Sequence, residues 1–399
     1  MITLRRQLLG LGLVAASSLF ALNSAHAMSG PTAITIDGGP LGSLNLSGGV
    51  DGYGYYISGT GDDAAYNTFS NGVETPIDRL SNGALVANAL VELQKTTGQL
   101  QFTIEIGSNG GAVTLGAQHP SQTSINIYST GPLYAGYLTV APNSVPGLTI
   151  SAGQLPSLEG WESGVDWNNA NQLTTDIFFV QNSQNRGVEV SYTKGPISVS
   201  GIFGDGFDDG VWNTLQLLGT YTINSTNSVS AYYTGNLGRT GLNAITYTGL
   251  TVAEDGPFYM NSQLFGGWYN YTIGNLNLVP EAQYVYAKPD AKLGIMKTTS
   301  NFGAAVFADY SFGSSPYSLG AWVEYEKSQG EGDWFIGPNS EAVGISVSPT
   351  WQYKDLFARA DAGGLYLLNN KADGATYGYG NSGTGKAMFT GTLEAGLLF

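Results

Sequence analysis

Residues 389–399 read Phe389-Thr390-Gly391-Thr392-Leu393-Glu394-Ala395-Gly396-Leu397-Leu398-Phe399. Phe389, Leu393, Leu397 and Phe399 share the odd positions with small residues, while Thr390, Thr392 and Glu394 take even ones. A period of two belongs to a strand with one apolar and one polar face. A strand that ends flush with the chain has no following turn to anchor it and must close against another strand. An apolar face on a closed sheet can rest in lipid, because closure leaves no backbone polar group unpaired. Phe389, Leu393, Leu397 and Phe399 are therefore expected to act as an assembly signal.

The other end of the chain agrees. Met1 to Ala27 reads as a secretory signal, with Arg5 and Arg6 before an apolar run from Leu8 to Leu22 and small residues in Ala25-His26-Ala27. That run is shorter than the ~20 residues needed to span a bilayer as a helix. The organisation expected is a removed signal over 1–27, a short periplasmic segment over 28–43, and a single outer-membrane barrel over 44–399. The terminal strand resembles the last strand of bacterial outer-membrane β-barrels, which finish on Phe and present it to the insertion machinery.

Composition narrows the function classes. Mean hydropathy is −0.03, as expected when half of each strand faces water, and no stretch after residue 27 suits a transmembrane helix. The chain has no Cys, which removes thiol catalysis and Cys-ligated metals. After the signal, 13 of the 15 basic residues remain against 30 acidic ones, a formal charge of −17. Nucleic-acid binding needs a basic surface and is excluded. An acidic surface gathers cations.

The turns supply the strand count. Seven short ones fall at 96–98, 143–146, 194–196, 224–227, 273–275, 313–316 and 353–355, each rich in Gly, Pro, Asn, Asp, Ser or Thr. Eight longer polar segments lie at 58–82, 108–132, 155–185, 205–212, 237–257, 288–298, 328–340 and 368–386. Together they join sixteen strands, with 14–18 compatible with the uncertainty of strand ends. The expected fold is all-β: a transmembrane antiparallel barrel with short periplasmic turns, long external loops and both termini on the short-turn side. In 302–310 and 317–325 the apolar face is bracketed by aromatics eight residues apart, Phe302 with Tyr310 and Tyr317 with Tyr325. At ~3.3 Å per residue and a ~40° tilt this spans roughly 20 Å, close to the apolar band of such barrels. Strands 228–236 and 258–272 alternate less cleanly.

If the apolar face meets lipid, the polar face lines a lumen. The residues expected there are Glu92, Glu105, Glu189, Glu281, Asp309, Glu324, Glu326, Arg359, Asp361 and Glu394. Sixteen strands enclose more space than side chains fill, so an aqueous channel is expected, with a weak preference for cations. Segment 155–185 is expected to fold inward as a constriction loop. Its named residues are Glu159, Trp161, Glu162, Asp166 and Asp176, with Arg186 beyond them, and its carboxylates are expected to face Arg side chains on the wall.

Gly153-Gln154-Leu155-Pro156-Ser157-Leu158-Glu159-Gly160-Trp161-Glu162, then Arg186-Gly187-Val188-Glu189-Val190-Ser191-Tyr192, then Gly204-Asp205-Gly206-Phe207-Asp208-Asp209 resemble the OmpL-like putative β-barrel porin family. Asp205 stands where that pattern has Asn, and Thr174-Thr175 where it has Arg-Ser. The resemblance covers 150–210 and implies an outer-membrane porin. Its expected partners are outer-membrane lipid and lipopolysaccharide, the barrel-assembly machinery and periplasmic chaperones, and small hydrophilic solutes; a homotrimer follows by analogy. No cofactor is expected.

Two other readings use different residues. An adhesive or structural surface barrel would act through the long loops. An outer-membrane hydrolase needs a nucleophile with a base, and after the signal His119 is the only His. Asp205-Gly206-Phe207-Asp208-Asp209-Gly210 is acidic enough for a calcium loop but has Phe207 where the EF-hand pattern needs an oxygen donor.

Overall fold

The computed structural model describes residues 28–58, 82–110, 113–115, 132–181, 184–206, 210–240, 256–330, 332, 334, 337–372, 374–376, 378–380 and 384–399. The signal reading of 1–27, His119 and Phe207-Asp208-Asp209 lie outside these residues.

Sixteen strands form the wall. They are β1 (Ser43–Ile57), β2 (Asn82–Lys95), β3 (Leu100–Asn109), β4 (Leu133–Val140), β5 (Leu148–Pro156), β6 (Gln184–Lys194), β7 (Ile197–Asp205) and β8 (Thr214–Asn224). The second half comprises β9 (Asn227–Asn236), β10 (Gln263–Ile273), β11 (Leu276–Ala287), β12 (Thr299–Ser311), β13 (Tyr317–Gln329), β14 (Glu341–Tyr353), β15 (Leu356–Asn369) and β16 (Ala387–Leu398). Each pairs antiparallel with its sequence neighbours, and β16 returns to β1 from Gly49 opposite Leu398 to Ile57 opposite Thr390. Closure removes the two edges an open sheet would expose. All seven short turns fall where the turn residues put them, and so do the long connections, except that the one before β10 runs on to Ser262.

The last residue completes the seam. The Phe399 N–H donates to the Gly48 carbonyl and the Gly48 N–H to the Phe399 carbonyl, both at 2.8 Å. A four-residue strand, Ile34–Asp37, also folds back on the start of β1, pairing Ile34 with Leu46 and Asp37 with Ser43. Upstream of it, Ser29 exchanges two hydrogen bonds with Gln352 at the short-turn end of β14. Met28 is buried in one cluster with Leu90, Val165, Trp167, Phe357 and Leu398.

The wall is inverted relative to a water-soluble domain. The outward row of β16 is exposed, with Leu393 at 72% of its maximum, while Thr390, Thr392 and Glu394 on the other face are buried. β12 repeats this with Phe302, Val306 and Tyr310 outside and Asn301, Ala305 and Asp309 inside. Val343, Ile345 and Val347 of β14 face out against Ser346 and Ser348 within. An apolar exterior around a polar interior is the arrangement a bilayer selects. Among the described residues no helix is long and apolar enough to cross a membrane.

Candidate functional site: the lumen and the loop that crosses it

The connection between β5 and β6 turns into the barrel. It carries a 3₁₀ turn at Asp166–Asn168, a two-residue strand at Leu173–Thr174 and a helical turn at Asp176–Phe179. Its residues from Val165 to Asp176 are buried or nearly so. Val113–Thr114, from the connection between β3 and β4, runs parallel to Leu173–Thr174 and adds a second inward segment. Much of the barrel interior is thereby occupied by the chain's own loop.

Carboxylates of the wall hold that loop by its backbone. The Trp161 N–H donates to Glu281 Oε2 at 3.2 Å. Those of Gln172 and Leu173 donate to Asp361 Oδ2 at 2.8 and 3.1 Å. That of Asp176 donates to Glu324 Oε2 at 2.9 Å. Neutral wall groups add to the set. Trp322 Nε1 donates to the Leu173 carbonyl at 2.7 Å, Gln283 Nε2 to the Ile177 carbonyl at 2.9 Å, and Asn171 Nδ2 to Ser346 Oγ at 3.2 Å. Ser346 also donates to Asp361.

The expectation that loop carboxylates face wall arginines holds at Asp166, whose Oδ2 stands 3.9 Å from Arg359 Nη2, and not at Glu159 or Glu162. Arg359 on β15 serves the loop. Its Nη1 donates to the Asp166 and Asn169 carbonyls at 3.3 and 2.9 Å, and its Nε donates to Glu394 at 2.7 Å. Two further loop acids accept from neutral donors. Glu159 accepts from Gln216 Nε2 at 3.0 Å and Thr234 Oγ1 at 2.7 Å. Glu162 accepts from the Thr175 N–H and hydroxyl. The wall is acidic and the loop is bound through N–H groups, which every residue but Pro carries.

Apolar packing fills the rest. Trp161 and Tyr232 both pack against Trp268, with ring centroids 6.4 and 5.6 Å away. Ile177, Leu173 and Val180 join Trp322, Leu264, Val285 and Ala305 in one cluster inside the barrel. Gly160 takes φ +71°, and a Cβ there would stand 2.0 Å from Gln181 Oε1. A Cβ on Gly320 of β13 would stand 2.4 Å from the Ala170 carbonyl, so loop and wall touch backbone to backbone.

The ten wall residues named from the alternation all lie on the inward face, but in two groups. Glu281, Asp309, Glu324, Glu326, Arg359, Asp361 and Glu394 are buried at or beside the loop. Glu92, Glu105 and Glu189 are half-buried on β2, β3 and β6, where Glu92 stands directly opposite Glu105 and Glu189 opposite Ser151. Arg186 is corrected from the loop to β6, opposite Gln154 and Asp205. Tyr232, Trp268, Gln216, Gln283, Asp51 and Asn88 also meet the loop or its Asp166 cluster and are missing from the sequence reading, which does place Trp322 on the inward face of its strand. They sit at regular inward positions, but a buried Trp and an outward Trp look alike without the strand's phase.

On the loop, which does not itself span the membrane, burial pushes the Asp176 carboxyl well above its ordinary range. The neighbouring charges of Glu324, Glu326 and Glu162 push it further. Burial likewise raises Glu162, against the lowering effect of its Thr175 hydrogen bonds.

The family described as putative beta-barrel porin-2, OmpL-like, matches residues 43–399. No curated protein matches the chain. Its fold is shared with solved structures at low identity. OmpT of Vibrio cholerae in a trimer form is 14% identical with a TM-score of 0.53, over 89% of this chain and 99% of that one. An anion-selective porin from Comamonas acidovorans is 11% identical with a TM-score of 0.55, over 89% and 99%. Salmonella typhi OmpF is 16% identical with a TM-score of 0.51, over 92% and 100%.

Proposed function

Because the chain belongs to the putative beta-barrel porin-2, OmpL-like family, we propose that it forms a narrow passive channel in the outer membrane of a Gram-negative bacterium. The solutes proposed are ions and small hydrophilic molecules. The observation that carries this reading is the latched loop, which occupies one side of the lumen and leaves the other less filled. On that other side Glu92, Glu105, Tyr137 and Glu189 face inward and are only half-buried. A passage lined there by three carboxylates favours cations over anions. The wall acids under the loop contribute little to selectivity, since several are committed to backbone N–H groups. Their task is to hold the constriction. Lipopolysaccharide contact at the long-loop rim, delivery by periplasmic chaperones and the assembly machinery, and association into trimers belong to the same proposal; the trimeric form of OmpT supports the last.

The test is the reversal potential of the refolded protein in a salt gradient across a planar bilayer. The sign should report cation preference, and the E92Q/E105Q/E189Q triple variant should bring the potential close to zero without closing the channel. An anion-selective wild type would overturn the assignment of these residues to the passage. Failure to form channels in repeated incorporations would overturn the porin reading and favour an adhesive barrel.

A further inference from the structure

Where the loop reaches the barrel seam, three buried carboxylates converge from three segments. Asp51 comes from β1, Asp166 from the 3₁₀ turn of the loop, and Glu394 from β16. Each offers an oxygen, and these all lie within 4.8 Å of one another. Two oxygens bound to one calcium ion at 2.3–2.6 Å lie at most about 5 Å apart, so this spacing suits a single ion. All three residues are buried, Asp166 completely.

The groups around them leave charge and bonding capacity over. Ionised together, the three carboxylates carry three negative charges, and Arg359 returns one, through Nη2 at 2.6 Å from Glu394 and 3.9 Å from Asp166 Oδ2. Buried charge without compensation is costly, and the remainder equals that of one divalent cation. Asn88, wholly buried on β2, sets its carboxamide against the cluster, with Nδ2 3.3 Å from Asp51 and 2.5 Å from Asp166. Its Oδ1 has no hydrogen-bond partner, and neither do Asp166 Oδ2, Glu394 Oε1 or the hydroxyl of Tyr53. Tyr53 is buried and stands opposite Glu394 across the seam. Oxygen-only donors of this kind select hard cations over zinc or copper.

We propose that Asp51, Asp166 and Glu394 bind a calcium-class divalent cation that fastens the loop to the seam between the first and last strands. The ion would tie together three parts that meet only when the barrel has closed. Its binding then stabilises the closed, constricted state, because open or unclosed forms lack the site.

Terbium, a luminescent stand-in for calcium, provides the test, since Trp167 is adjacent to Asp166 and can sensitise it. Full-length protein purified from membranes and stripped with EDTA should bind one terbium ion with Trp-sensitised emission. The emission should decay slowly in water, as for an ion with few coordinated waters, and added calcium should displace it. D51N/D166N and E394Q, each confirmed as folded by heat-dependent gel mobility, should weaken binding by roughly tenfold or more. Wild-type emission that is absent, or that decays like a hydrated ion, overturns the proposal without recourse to any variant. Equal emission in wild type and folded variants overturns it too, by placing the ion among surface acids.

Discussion

Asp361 accepts from two consecutive backbone N–H groups of the loop and from Ser346, and it shows how a wall carboxylate serves as a latch. Its inward direction was legible, because Ala360 and Ala362 flank it in an alternating strand. Its partner was not. A carboxylate suggests a cation to anyone reading side chains, while backbone donors carry no mark in the sequence. Asp176 adds a titratable member to the same contact. Burial, and then the neighbouring charges of Glu324, Glu326 and Glu162, hold its docked carboxyl well above the range it has in a free loop. Docking is therefore firmest below the ordinary carboxylate range near ~4 and weakens as pH rises toward the docked value. Single-channel conductance should increase from acid toward neutral pH, and D176N should flatten the dependence. A wild-type conductance that rises on acidification would contradict this.

At the scale of elements, strand number and turn positions were fully legible, since turn residues and period-two alternation have direct steric causes. Where alternation blurred, in β9 and β10, the cause is the loop. Tyr232, Trp268 and Leu264 face inward to pack on it, so both faces of those strands carry large apolar groups. The segment from 258 to 262 was read as strand, but Gly256–Met260 is helical, and β10 begins only at Gln263. The seam was legible from its last residue. Phe399 exchanges two hydrogen bonds with Gly48, and its ring comes within 3.1 Å of where a Gly48 Cβ would stand. Deleting Phe399 should lower the yield of heat-resistant folded barrel in membranes severalfold, while channels that do assemble keep the wild-type ion preference. Undiminished assembly would show that the seam does not depend on this residue.

For the whole molecule, the excess of acids suggested a lumen lined by free negative charge. The fold divides that charge instead. One share binds the chain to itself, and a smaller share on β2, β3 and β6 is only half-buried, the share that the proposed passage assigns to solutes. Global composition cannot reveal such a division, because it depends on which strands a distant loop crosses. The central claim is that the connection between β5 and β6 is the constriction, held by the wall and removable from it. Single-channel conductance of the wild type and of a variant lacking residues 158–172, in the same salt and bilayer, tests this most directly. The account predicts a small conductance for the wild type and a severalfold larger one for the deletion. Equal conductance in a correctly folded deletion would contradict it.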